Sequence, residues 1–147
     1  MTRLTFASGC AASLFAAVVL LSPRIEAQET SPRTIWDKVY TETQAARGKN
    51  AYAADCAACH GDDLGGIGYA PALSGDEFTA AWTGKTVGDF VERIQKLMPP
   101  ESPGSLPLSK YRDITAFLLQ ANKVPAGEAE LDGDLPALRQ IKVVPQP

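Results

Sequence analysis

Beyond residue 40, apolar and small residues recur at intervals of three and four, the spacing that puts side chains on one face of a helix. Each segment with this pattern follows a Ser or Thr suited to a helix N-cap. The predicted helices are 42–55 after Thr41, 75–82 after Ser74, 87–97 after Thr86 and 110–121 after Ser109, with capping boxes at Thr41–Gln44 and Ser74–Glu77. We find no segment in which apolar and polar residues alternate as they do in a strand. The pattern therefore predicts an all-α fold.

The N-terminal segment has a different pattern, a long apolar stretch from Leu4 to Leu21 that follows the basic Arg3. Residues 25–27 then fit a signal-peptidase cleavage site. We therefore predict that residues 1–27 are a cleaved secretory signal peptide, which places the mature protein in the periplasm. The alternative is an uncleaved anchor in the membrane, because the stretch approaches the roughly 20 residues that a spanning helix needs.

The remainder of the chain is predicted to have three parts: a lead-in at 28–40, a domain at 41–124 and an extension at 125–147. The lead-in carries large apolar residues at roughly helical spacing: Ile35, Trp36, Val39 and Tyr40. The extension is polar and interrupted by prolines. It either packs over the surface or is mobile, and its candidate packing residues are Leu131, Leu135, Leu138 and Ile141.

The charge of the chain argues against one class of partner. The formal net charge is −3 at pH 7. Nucleic-acid binding depends on Lys and Arg residues that neutralise phosphates, so this mildly acidic chain is a poor candidate for it. A partner with a complementary charged patch is favoured instead.

The strongest chemical signal is Cys56-Ala57-Ala58-Cys59-His60, a C-x-x-C-H motif. On a helical turn, its first, fourth and fifth positions lie on one face. Both thiols can therefore add to the two vinyl groups of one haem while the imidazole of His60, the only histidine in the chain, reaches the iron. The motif predicts one haem c, attached covalently through Cys56 and Cys59.

Three other interpretations of these cysteines remain open at this point. A thioredoxin-like redox pair needs a βαβ context, which the helical pattern does not provide. A structural zinc site needs four nitrogen or sulfur ligands, and the chain after the signal peptide offers only Cys56, Cys59 and His60 as soft candidates. A disulfide between Cys56 and Cys59 remains possible if no haem is attached.

Met98 is the only methionine after the predicted signal peptide. A lone methionine is commonly core filler, which is the alternative here. However, Met98 precedes Pro99, and a residue before proline is pushed out of the helical region. Pro99 and Pro100 also stiffen the segment that follows. We therefore predict Met98 as the second axial ligand of the iron, a ligand type that raises the reduction potential.

The order of these features resembles the class I c-type cytochromes. It covers most of the chain after the signal peptide and comprises a helix, the C-x-x-C-H motif, the glycine-rich loop 61–68, Ala70-Pro71-Ala72-Leu73, Met98-Pro99 and a closing helix. The resemblance implies a small all-α cytochrome c fold with about four helices around one covalent haem and with long loops.

The resemblance also implies roles for further residues. The Pro71 carbonyl would accept a hydrogen bond from His60 Nδ1. Leu73 would pack on the haem face, and Trp82 would donate to a haem propionate. The alternatives are an ordinary turn proline at 71 and a core tryptophan at 82. The first and last helices would cross at small and aromatic residues: Gly48, Tyr52, Ile114 and Phe117.

The implied function is that of a single-electron carrier and not of an enzyme. The motif and the closing segment are similar to small periplasmic cytochromes that serve quinoprotein dehydrogenases. The predicted partners are therefore such a dehydrogenase as donor and a terminal oxidase or another cytochrome as acceptor, and the carrier itself is predicted to be a monomer. Two alternatives stay open: a haem subunit tethered to a larger oxidoreductase, and a haem enzyme or sensor with an open sixth position.

Overall fold

Helices make up most of the regular structure in residues 32–147, the part of the chain that the computed structural model describes. The helices are α1 Glu42–Asp55, α2 Ala57–His60, α3 Gly75–Trp82, α4 Val87–Leu97, α5 Leu108–Ala121 and α6 Leu135–Leu138, and the parallel strands β1 Arg33–Thr34 and β2 Ile141–Lys142 form one short pair. The predicted all-α fold class is confirmed, and the strand pair is the feature that it did not include. None of the helices in this described part is long and apolar enough to cross a bilayer. The predicted signal peptide, residues 1–27, lies outside the described residues.

Local signals correctly predict the bounds of α1, α3 and α4. At the start of α1, the side chain of Thr41 accepts a hydrogen bond from the Gln44 amide at 3.1 Å. At the start of α4, Thr86 and Asp89 each accept a hydrogen bond from the other's backbone amide, at 3.0 and 2.9 Å. These bonds satisfy amides that a helix leaves unpaired in its first turn.

Ser74 lies at the N-cap of α3 as predicted, but its side chain makes no capping hydrogen bond, so the predicted capping box does not form. The predicted cap at Ser109 is wrong. Ser109 lies inside α5, which begins at Leu108 directly after Pro107. The carbonyl of Pro107 accepts the amide of Tyr111 at 3.3 Å, so the backbone starts this helix two residues earlier than predicted.

Helices α1 and α5 pack directly against each other. A β-carbon at Gly48 would lie 1.8 Å from the backbone oxygen of Asp113, so only glycine permits this approach. One turn further along α1, the ring of Tyr52 packs on that of Phe117 with the centroids 5.3 Å apart. Arg47 joins the same two helices through an ion pair of 3.1 Å with Asp113. The predicted crossing at a small residue and an aromatic is confirmed.

The lead-in and the C-terminal extension pack together beside these helices. Residues 35–38 form turns, although their apolar residues lie at roughly helical spacing. Of the two alternatives for the extension, packing is the one observed. Its buried residues share one hydrophobic cluster with those of the lead-in: Ile35, Val39, Tyr40, Leu131, Leu138 and Ile141.

Gln44 connects α1 to the extension, which corrects its predicted role in a capping box. Its side chain does not reach back to Thr41. It is 2 % exposed, donates to the Leu131 carbonyl at 2.9 Å and accepts from the Leu131 amide at 2.7 Å. The peptide group of Leu131 is buried and has no strand partner, so it gains from the side-chain amide of Gln44. The exposed start of α1 would gain less, because water can satisfy its free amides.

Replacing Gln44 by Leu tests this connection. The substitution Gln44→Leu leaves the amide and carbonyl of Leu131 buried without partners, and we expect it to lower the free energy of unfolding by about 1–3 kcal/mol. Gln120→Leu, at an exposed position of α5, is the matched control and should change it by less than about 0.5 kcal/mol. Denaturant titration followed by circular dichroism measures both, and equal stability of the two variants would contradict the assignment.

Candidate functional site

A cavity of about 1290 Å³ lies between α2, the loop after it, α3, α4 and the start of α5. It is larger than the roughly 300–1,000 Å³ of typical small-molecule pockets. Aliphatic and aromatic side chains form much of its wall. The cavity brings together all of the residues that the sequence predicts for the site: Cys56, Cys59, His60, Pro71, Leu73, Trp82 and Met98.

The C-x-x-C-H motif reaches the cavity through a break after α1. Cys56 leaves the helical conformation, with φ at −131°, and α2 then forms a single turn. The amides of Cys59 and His60 both donate to the Cys56 carbonyl, at 3.2 and 3.0 Å. Both thiols are free and form no disulfide. Burial raises the pKa of the Cys56 thiol to about 11, so this thiol is protonated at neutral pH.

The imidazole of His60 is oriented by Pro71. Its Nδ1 lies 2.9 Å from the Pro71 carbonyl oxygen. Since a carbonyl oxygen can only accept, Nδ1 carries the proton of the neutral ring and the Nε2 lone pair is left for another partner. Tyr52 supports the end of the same turn by donating its hydroxyl to the Gly61 carbonyl at 2.7 Å.

The loop that carries Pro71 depends on a glycine. Gly66 has φ at +79°, and its amide donates to the His60 carbonyl at 2.9 Å. A β-carbon there would lie 2.2 Å from the Ala70 oxygen and 2.9 Å from the carbonyl carbon of Pro71. The backbone of residues 70–71 can therefore approach this closely only because position 66 has no side chain.

Met98 leaves α4 as its position before proline predicts. Its φ and ψ are −129° and 145°, which is extended backbone, and its amide still closes the helix by donating to the Ile94 carbonyl at 2.8 Å. Its carbonyl accepts the hydroxyl of Tyr111 at 2.7 Å. Met98 is partly buried and lines the cavity.

Leu73 and Trp82 lie on other walls of the cavity. The backbone of Leu73 is held on both sides, because its amide donates to Leu64 at 2.8 Å and its carbonyl accepts from the Asn122 side chain at 3.0 Å. The ring of Trp82 packs edge-on to that of Phe90, with 4.7 Å between the centroids. Lys85 Nζ lies 4.8 Å from the centroid of the Trp82 ring, which puts a positive charge at this wall.

Two tyrosines at the cavity have contacts that the sequence does not reveal. Helical periodicity predicts only that Tyr52 and Tyr111 face inward. In the structure, each donates its hydroxyl to a backbone carbonyl of the site, Tyr52 to Gly61 and Tyr111 to Met98. An inward position indicates burial, but no pattern in the sequence indicates which carbonyl a buried hydroxyl meets.

Comparison with known families identifies the chain. The model of the family described as "Cytochrome C oxidase, cbb3-type, subunit III" matches residues 43–118. The chain belongs to this family. It is a c-type cytochrome with a small all-α cytochrome c fold, and its family implies a covalently bound haem c. Domains of this kind are usually extracytoplasmic.

Among solved structures, the cytochrome is similar to the sulfane dehydrogenase SoxCD from Paracoccus pantotrophus. The identity is 24 %, the match covers 74 % of this chain and 61 % of that one, and the TM-score is 0.48. The cytochrome thus spans less than two thirds of the chain that it matches. No curated protein shows significant similarity to it.

The cavity of this cytochrome fits a covalent haem. Two free thiols, separated as the attachment motif requires, lie at an apolar cavity beside an imidazole whose Nε2 lone pair is available. Within residues 32–147, no group of three or more His, Cys, Asp or Glu side chains is placed to hold a metal ion on its own.

Comparison of Gly66 with Gly68 separates two effects of replacing Gly66: the clash of a new side chain with residues 70–71 and the cost of a positive φ. Both glycines have positive φ, +79° and +63°, but a β-carbon at Gly68 would meet nothing within 4 Å. Gly66→Ala and Gly68→Ala share the conformational cost, and only the first displaces residues 70–71. We expect Gly66→Ala to lose about 1–3 kcal/mol more free energy of unfolding than Gly68→Ala. Equal losses in denaturant titrations would show that the close approach has no energetic importance.

Proposed function

We propose that this cytochrome carries single electrons with one haem c, attached through Cys56 and Cys59 and ligated by His60 and Met98. The proposal is supported by one observation: a single cavity collects two free thiols, an imidazole with an available Nε2 and a methionine on an extended segment. Bound there, haem supplies a one-electron couple, and methionine ligation raises its potential.

The neighbouring residues have supporting roles in this proposal. The Pro71 carbonyl keeps the His60 ring in one tautomer and one orientation. Leu73 and Phe90 exclude water by adding apolar surface to the walls. Trp82 would donate its indole N–H to a propionate, and Lys85 over its ring would add a favourable charge at the same wall.

Within this proposal, a carrier is favoured over an enzyme because the chain would supply both axial ligands. With His60 and Met98 in place, no coordination position is left for a substrate, and the same side chains serve both oxidation states. The site is accessible from solvent at Cys59 and Leu97, both of which are exposed and line the cavity. We place the transient contact with redox partners at this side of the molecule.

We further propose the organisation and setting of the carrier. Residues 41–124 form the haem-binding domain, since every residue assigned to the site lies within them, and 28–40 and 125–147 flank it. Removal of residues 1–27 releases a monomer into the periplasm. Its donor is a dehydrogenase of the quinoprotein type, and its acceptor is a terminal oxidase or another cytochrome.

The second candidate is a haem subunit of a larger oxidoreductase, tethered through an uncleaved N-terminus. The description of the family favours it, because that description names a subunit of an oxidase. The two candidates share the haem site and differ in the N-terminus and in the partner.

Intact mass spectrometry of the exported protein tests attachment and cleavage together. We expect a chain that begins at Gln28 and carries the mass of one haem, which the double variant Cys56→Ala/Cys59→Ala lacks. Ala58→Ser, at a variable position of the motif, is the control and should keep the added mass. A wild-type chain without that mass, made in a host with haem-attachment machinery, would refute the proposal, and a haem-bearing chain that retains residues 1–27 would favour the tethered subunit.

Met98→Ala tests the second axial ligand. The wild type should show the weak far-red band that methionine gives with ferric haem, and its ferrous form should not bind carbon monoxide rapidly at neutral pH. The variant should lose the band, bind carbon monoxide and have a lower reduction potential, because the thioether is gone. Leu97→Ala removes the preceding cavity-lining side chain and should keep the band. Persistence of the band in Met98→Ala would exclude Met98 as the ligand.

A further inference from the structure

The segment Met98-Pro99-Pro100, named here the Met98 strap, has few means of attachment to the rest of the protein. Two of its residues are prolines, which have no backbone N–H to donate. The one amide of the strap, that of Met98, is already used by the Ile94 carbonyl at 2.8 Å. Any further hydrogen bond that holds its backbone must therefore be accepted by one of its carbonyl oxygens.

In the described part of the chain, two such bonds occur, and only one of them comes from another helix. The Pro99 carbonyl accepts the amide of Ser102 at 2.9 Å, a bond within the local turn. The Met98 carbonyl accepts the hydroxyl of Tyr111 at 2.7 Å. Within residues 32–147, the Tyr111 bond is the only hydrogen bond that connects the strap to an element distant from it in sequence.

Tyr111 is itself held in place by the core. Its side chain is 1 % exposed and belongs to the main hydrophobic cluster. It lies in the first turns of α5, the helix whose position is set by the close approach of Gly48 to Asp113. A tyrosine ring has only two side-chain torsions, so a buried ring fixes the position of its hydroxyl. The position of the Tyr111 hydroxyl is thus set by the core and does not depend on its hydrogen bond to Met98.

We propose that Tyr111 is a positioning residue for the axial methionine, an inference that rests on the proposed His60 and Met98 ligation. By holding the carbonyl of Met98, Tyr111 limits the positions open to the backbone from which the thioether reaches the iron. A ligand whose backbone is restrained in advance loses less entropy when it binds, and an external ligand displaces it less readily. Without the hydroxyl, no other helix among residues 32–147 would donate a hydrogen bond to the Met98 carbonyl.

The experiment is displacement of Met98 by added imidazole in the ferric holoprotein, followed by loss of the far-red band. Tyr111→Phe keeps the ring and removes one hydroxyl. We expect imidazole to bind this variant about 2- to 12-fold more tightly than the wild type, the factor that corresponds to the net contribution of one hydrogen bond.

Tyr40→Phe is the matched control. Tyr40 is also 1 % exposed and donates its hydroxyl to a backbone carbonyl, that of Val124, and it does not line the cavity. It should lose global stability to a similar extent, with imidazole affinity within twofold of the wild type. This comparison separates positioning of the ligand from a structural role in the core, which would affect unfolding in both variants and displacement in neither.

The outcomes distinguish the inference from the function on which it rests. A wild type without the far-red band refutes the proposed ligation. A wild type with the band, combined with equal imidazole affinity in Tyr111→Phe and Tyr40→Phe, overturns the role of Tyr111.

If Tyr111→Phe does not fold, nuclear magnetic resonance of the ferrous wild type provides the test. Slowly exchanging hydroxyl protons are expected for both Tyr40 and Tyr111, with the Tyr111 proton close to Met98. Detection of the Tyr40 proton without that of Tyr111 would overturn the inference.

Discussion

The close crossing of α1 and α5 at Gly48 is the constraint on which the site depends. Helix α1 leads directly into the C-x-x-C-H turn, and α5 carries the tyrosine that holds the Met98 carbonyl. Because a β-carbon at Gly48 would lie 1.8 Å from a backbone oxygen of α5, the separation of the two helices is fixed by backbone contact. Side chains that could relax do not determine it. The two proposed axial ligands lie on separate segments, but both segments are attached to the same rigid pair of helices.

Around that pair, loops are held by polar side chains that meet backbone carbonyls. His60 bonds to Pro71, Tyr52 to Gly61 and Tyr111 to Met98. Irregular segments lack the regular partners of helices and strands, so their buried carbonyls need donors from elsewhere. The same bonds that satisfy these carbonyls also restrain the residues that surround the cavity. Stability and geometry of the site therefore come from the same contacts.

The C-terminal extension is attached by both charge and apolar burial, and the magnitudes show which of them dominates. Arg47 pairs with Glu130 at 2.9 Å, but both side chains are close to half exposed, and exposed pairs of this kind contribute little to stability. Leu131 and Leu138 are almost completely buried, and each contributes about 1.5–3 kcal/mol. Apolar burial therefore contributes more than the ion pair to holding the extension. The two-residue pairing of β1 with β2 is too short to hold it alone.

The sequence by itself determined the elements whose causes are local. These elements depend on residues within about four positions of one another. They are the caps at Thr41 and Thr86, the bounds of α1 and α4, the exit of Met98 from its helix and the haem motif. The resemblance added the crossing at Gly48 and the importance of Pro71.

Only the tertiary structure decided the partners across longer distances, because periodicity indicates which face is buried and not what that face contacts. Gln44 and Leu131 are 87 residues apart, and Tyr111 and Met98 are 13 apart. The lead-in and the extension likewise pack into one hydrophobic cluster. Each has apolar residues that become buried against the other and against the helices.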